Sequence, residues 1–141
     1  MAHAVKGAME GASAAGGDVP LLLGVTILTS MDKDEMNATG IEGTVEEKVT
    51  ALARSAQQAG LDGVVASAEE TKMIKKILGK DFIVVTPGIR PEWAPCGDQK
   101  RVVTPRQAIK DGSDYIVVGR PIVQADDPLE AANEILKEME E

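Results

Sequence analysis

Four short runs of Val, Ile and Leu, at residues 21–28, 61–66, 82–86 and 115–119, set the strongest limit on what this chain folds into. Each is bounded by Gly, Pro or Asp, and each is dense enough in apolar side chains to be a strand buried on both faces of a parallel sheet. Helical patterns lie between them. Thr44 with Glu47 three residues on is a capping-box signature; Val45, Val49, Leu52, Ala53 and Ala56 then recur at helical spacing, and Gly60 ends the run. Ser67, with Glu70 three residues later, opens a second helix that stops before Gly79, and Thr104-Pro105 opens a third that closes at Gly112. The last runs over about 127–141, with Pro128 near its start and Leu129, Ala132, Ile135, Leu136 and Met139 on one face. A further helix is expected over 5–15, weakened by its glycines. Strand followed by helix, four times over, means right-handed βαβ units and a parallel sheet. Two architectures fit: a small doubly wound sheet, or half of a (β/α)8 barrel.

Length and composition narrow the function classes. The 141 residues make one domain, 1–141, well short of the roughly 250 of a complete (β/α)8 barrel. A net charge of −8 argues against nonspecific binding to nucleic acid or an anionic membrane. One cysteine, Cys96, and one histidine, His3, leave no internal disulfide, no Cys-based zinc site and no Ser-His-Asp triad. No signal peptide is visible and no apolar run is long enough to span a bilayer, so a cytoplasmic protein is expected. No GxGxxG follows any strand, which removes the dinucleotide-binding reading.

Ligands of parallel α/β folds bind at the C-terminal ends of the strands. After the first run come Thr29, Ser30, Met31 and Asp32; after the third, Pro87-Gly88-Ile89-Arg90-Pro91; after the fourth, Gly119-Arg120-Pro121. Two of these loops carry an Arg, the side chain suited to gripping a phosphate through paired N–H groups. With Gln99, Lys100 and Arg101, the arginines Arg90 and Arg120 form a local reversal of sign in an acidic chain. That points to an anionic small molecule, most simply a phosphate ester. Cys96 is read as an inert loop thiol, Asp32, Asp34 and Glu35 as solvated loop charges, and Trp93 as packing within its Pro-rich loop.

Several ordered motifs together are more specific than any strand pattern. Val85-Thr86-Pro87-Gly88-Ile89-Arg90-Pro91, Gly97-Asp98-Gln99-Lys100-Arg101, Thr104-Pro105 and the stretch from Gly112-Ser113-Asp114 to Gly119-Arg120-Pro121-Ile122 resemble the orotidine 5'-phosphate decarboxylase family. Val25-Thr26-Ile27-Leu28-Thr29-Ser30-Met31 and Gly60-Leu61-Asp62-Gly63-Val64-Val65 also match, as does His3-Ala4, although Val5-Lys6-Gly7 departs from the family's usual Gly pair. The resemblance implies a homodimeric (β/α)8 barrel that converts orotidine 5'-phosphate to UMP and CO2 with no cofactor and no metal. It implies that Gln99, Gly119 and Arg120 hold the phosphate with Arg90 beside it. Thr29 and Ser30 would face the nucleotide, and Met31 and Pro87 would wall the ring.

The family's catalytic Asp-x-Lys-x-x-Asp stretch has no counterpart here, nor has the His-Asp-Ile-Pro-Asn run that follows it. The expectation is therefore the C-terminal half of the barrel, strands five to eight, with substrate contacts but no catalytic residue, and inactive alone. A half-barrel leaves its inner face open. Roughly ten inward apolar side chains, at about 1.5–3 kcal/mol each, rival a whole domain's stability of about 5–15 kcal/mol. Such a chain is expected to self-associate into a pseudo-barrel, to bind the N-terminal half-barrel in trans, or to flatten. Two other readings remain: a noncatalytic half-barrel scaffold, and a fragment of a related sugar-phosphate decarboxylase.

Overall fold

A computed structural model describes residues 2–16, 19–94 and 102–140. The elements run α1 (Ala2–Ala14), β1 (Leu23–Val25), α2 (Lys33–Ala38), α3 (Val45–Gln58), β2 (Gly63–Val65), α4 (Ala68–Leu78), β3 (Ile83–Thr86), α5 (Pro105–Lys110), β4 (Tyr115–Ile116), α6 (Arg120–Val123) and α7 (Pro128–Glu140). The four strands form one parallel sheet in the order β1-β2-β3-β4. Sequence order equal to spatial order, with every connection helical, is the topology of a (β/α)8 barrel and not of a doubly wound sheet, whose order reverses at a switch point. Among the described residues no helix is long and apolar enough to cross a membrane.

Each strand is shorter than its apolar run, because ladder pairing holds only where neighbouring strands overlap. Successive side chains alternate between the two faces of the sheet. Val64 and Val84 are fully buried on the face covered by α3 and α4, where Met36, Val49, Ala53, Ala56 and Ile74 complete the main core. A second cluster, of Ala68, Ile89 and Ala108 with Val103, Ile116 and Val118, lies under α5. The opposite face has no such cover: Val25 is 61% exposed, Tyr115 53% and Val117 53%. The open inner face expected of a half-barrel is therefore present.

Local signals worked where a side chain caps a helix. Thr44 Oγ1 accepts the Glu47 N–H at 3.1 Å, and the Glu47 carboxylate accepts the Thr44 N–H at 2.9 Å. Thr104 caps α5 through the Gln107 N–H at 3.2 Å, with Pro105 at its start. Ser67 instead accepts from Glu69 at 3.4 Å, and Glu70 is buried, so no capping box forms there. Asp32 and Glu35 are not simple loop charges. They form a reciprocal capping box, at 2.9 and 3.1 Å, on the short helix α2, which the sequence pattern did not reveal.

Candidate functional site

The rim at the strand ends is built by two adjacent loops. Thr86 closes β3 by donating from Oγ1 to the Tyr115 carbonyl at 3.1 Å, and its own carbonyl accepts the Val117 N–H at 2.8 Å. Gly88, at φ +76°, then turns the chain in a left-handed conformation that side-chain-bearing residues disfavour. Ile89 consequently drops into the second core, and the Arg90 N–H pairs with the Val103 carbonyl at 3.1 Å. Arg90 is thereby held at the rim almost buried, one guanidinium nitrogen donating to the Ile89 carbonyl at 3.1 Å. After β4, Gly119 leads directly into the single turn α6, and buried Pro121 anchors Arg120 beside it.

The loops converge on a pocket of about 230 Å³ lined by Arg90, Trp93, Ala94, Arg120, Pro121, Gln124 and Ala125. The described lining holds two guanidinium groups and no carboxylate, in a chain of net charge −8. A site so built favours a compact anion with several acceptor oxygens.

The other expected site residues distribute unevenly. Gly119 immediately precedes Arg120 at the pocket's edge, and half-buried Pro87 lies in the same loop as Arg90 but outside the pocket lining. Thr29 is buried and Ser30 exposed in the turn after β1, where the Met31 N–H pairs with the Leu28 carbonyl at 3.0 Å. β1 is the far edge of the sheet, and neighbouring strands are about 4.8 Å apart, which puts β1 roughly 14 Å from β4. Gln99, Lys100, Arg101 and Cys96 lie outside the described residues. Trp93 does not simply pack in its loop: it is half exposed and lines the pocket. Gln124 was not anticipated. Its signal was its position four residues after Arg120, one helical turn on. Among the described residues no group of three or more His, Cys, Asp or Glu side chains is placed to hold a metal.

Comparison with known proteins agrees with this geometry. Residues 1–135 match the model of the orotidine 5'-phosphate decarboxylase / HUMPS family. An orotidine 5'-phosphate decarboxylase of Pseudoalteromonas atlantica is 52% identical over 128 residues, 91% of this chain and 55% of that protein. One from Idiomarina loihiensis is 56% identical over 117 residues, 83% of this chain and 51% of that protein. The crystal structure of orotidine 5'-phosphate decarboxylase from Lactobacillus acidophilus superposes with a TM-score of 0.74 at 42% identity, covering 90% of this chain and 52% of that one. The chain thus spans about half the length of the relatives it matches. With strand order, rim arginines and extended sequence identity in agreement, the chain belongs to the orotidine 5'-phosphate decarboxylase / HUMPS family.

Proposed function

We propose that this chain, as one half-barrel unit over 1–141, supplies the phosphate- and pyrimidine-binding part of an orotidine 5'-phosphate decarboxylase site. The observation that carries this reading is the shared pocket of Arg90 and Arg120, which follow neighbouring strands and face one cavity. In the reaction of orotidine 5'-phosphate to UMP and CO2, Arg120 and the Gly119 backbone hold the phosphate dianion with Gln99, and Arg90 stands beside them. Thr29 and Ser30 approach the nucleotide from the β1 end, and Met31 and Pro87 wall the pyrimidine. That role needs the rim to curve, since β1 and β4 stand at opposite edges of the sheet. No cofactor takes part, and a cytoplasmic setting suits a metabolite substrate.

The reacting charges are not part of this unit. The sequence has no Asp-x-Lys-x-x-Asp stretch to protonate the carbon that loses CO2 or to stabilise the charge developing there. Gripping a remote phosphate lowers a barrel's activation barrier only when the reacting groups are also in place. These 141 residues therefore bind product-like nucleotides, and substrate turns over only when those groups are also present.

Titration with UMP tests the binding claim. Trp93 is the chain's one tryptophan and lines the pocket, so its fluorescence reports occupancy. UMP should change that signal saturably, uridine should not, and Arg120→Ala should weaken UMP by about ten- to hundredfold, the loss of charge-assisted hydrogen bonds. Equal binding of UMP and uridine, or an unaffected Arg120→Ala variant, would favour the scaffold reading instead.

A further inference from the structure

We propose that Gln124 is a further phosphate-binding residue of the rim pocket, its side-chain amide donating to a terminal oxygen of the phosphoryl group. The inference rests on the reading of that pocket as a phosphate site, and it adds a residue that the sequence motifs do not mark.

α6 is a single turn, and its hydrogen bonds fix which way it faces. The Val123 N–H pairs with the Gly119 carbonyl at 3.1 Å, and the Gln124 N–H with the Arg120 carbonyl at 3.0 Å. Arg120, Pro121, Gln124 and Ala125 therefore share one side of the turn. All four line the pocket, whereas Ile122 and Val123 do not. Residues four apart on a helix have Cβ atoms about 5–6 Å from each other. Arg120 and Gln124 are thus close enough for two long side chains to converge on one phosphoryl group.

Bonding capacity points the same way. Among the described lining residues, the side chains able to hydrogen-bond are Arg90, Trp93, Arg120 and Gln124. Arg90 already commits one guanidinium nitrogen to the Ile89 carbonyl at 3.1 Å. A phosphate monoester brings three strongly accepting oxygens, and each can take more than one donor. The Gln124 amide adds two N–H groups. Among the described residues it makes no hydrogen bond that would withhold them. The amides of Gln57 and Gln107, by contrast, are committed to the Leu78 carbonyl at 2.9 Å and the Asp111 carboxylate at 2.6 Å.

The neutrality of Gln124 matters as much as its donors. Its Oε1 is the one side-chain acceptor in the described lining, and it carries no charge. The acidic residues that follow it in sequence are kept out. Neither Asp126 nor Asp127 lines the pocket, and Asp127 Oδ1 instead accepts the N–H groups of Leu129 and Glu130, at 3.0 and 2.9 Å, at the start of α7. A carboxylate at position 124 would face the dianion directly. All these relations lie in the loops after β3 and β4, which pair with each other within this chain, so the inference does not depend on what adjoins the edges of the sheet.

Titration of the full chain with UMP, read by Trp93 fluorescence, tests this in three variants. Gln124→Met keeps the length of the side chain and removes its donors. It should weaken UMP about five- to twentyfold, the loss of one hydrogen bond to a charged group at a partly exposed site. Gln124→Glu replaces the donors with a carboxylate and should weaken UMP about tenfold further. Val123→Glu puts the same charge on the same turn but off the pocket, and should change the Kd by less than about threefold. Gln124 and Val123 are both exposed, so the urea midpoint should stay unchanged in all three variants. A Gln124→Met variant that binds UMP as the unaltered chain does, while Arg120→Ala is impaired, overturns the role given to Gln124 and leaves the phosphate reading standing. A Val123→Glu variant as damaging as Gln124→Glu also overturns it, since the effect would then be one of distant charge. An unaltered chain that binds no UMP removes both.

Discussion

Asp62 and Asp114 make the same pair of hydrogen bonds, each donating its N–H to the carbonyl of one residue and accepting that residue's N–H through its carboxylate. The partner is Leu22 for Asp62, at 2.9 and 2.7 Å, and Val84 for Asp114, at 3.0 and 2.7 Å, but the two aspartates should differ sharply in energetic weight. Asp114 accepts the N–H of Val84, which is fully buried, and also faces Lys75 at 2.6 Å. The Lys75 side chain is 13% exposed and commits its other two donors to the carbonyls of Lys80 at 2.8 Å and Phe82 at 3.0 Å. Asp114→Ala therefore orphans a buried backbone donor, at about 1–3 kcal/mol, and strips an enclosed ammonium of its counter-charge, at about 1.5–3 kcal/mol. Asp114 is itself 35% exposed, so water recovers part of the second term, and a net loss of about 2–4 kcal/mol is expected. Asp114→Asn keeps an acceptor for Val84 and should lose about half as much. Asp62 caps the edge strand, where the Leu22 N–H is accessible to water, so Asp62→Ala should cost under about 1 kcal/mol. Urea unfolding followed by far-UV circular dichroism, at one fixed protein concentration, measures all three. An Asp114→Ala loss below that of Asp62→Ala would refute the argument that burial, and not hydrogen-bond geometry, sets the cost.

Two other substitutions probe the frame of the site. A Cβ added at Gly63 falls 2.2 Å from the Ile83 carbonyl oxygen and 2.6 Å from Ile83 Cβ, so Gly63→Ala must push β2 from β3 and should cost at least about 1–3 kcal/mol in the same urea assay. Gly7→Ala, on α1 with nothing within 4 Å of the new methyl, should instead stabilise slightly. At the start of α3, hydrogen bonds from the Thr44 backbone and side chain hold the Glu47 carboxyl below its ordinary value. A depressed carboxyl stabilises the fold above its unfolded pKa, and that stabilisation disappears as the pH falls through the folded value. NMR titration of Glu47 should show its midpoint rise in Thr44→Ala, which removes one of the two donors; an unchanged midpoint would contradict this assignment.

What the sequence disclosed follows from which forces act locally. Caps at Thr44 and Thr104 depend on residues three apart and were readable next to an apolar pattern or a Pro at the first helical position. Asp32 and Glu35 have the same spacing, but α2 behind them buries only Met36 and gives no periodicity, so that cap went unread. The strands were placed correctly but drawn too long, since pairing with neighbours sets where a ladder ends. The rim arginines were found together because both follow adjacent strands, a consequence of sheet order alone. Trp93 and Gln124 were missed as pocket residues because their exposure depends on how two loops meet.

Release of labelled CO2 from carboxyl-labelled orotidine 5'-phosphate tests the division of labour most directly. In the proposed division, substrate grip falls to Arg90 and Arg120 of this chain, and proton donation to groups that its 141 residues do not contain. The purified chain should release no CO2 above the uncatalysed rate. Adding a separately produced other half from a relative should start the release, and Arg120→Ala in this chain should diminish it. Clear turnover by the chain alone would contradict the account.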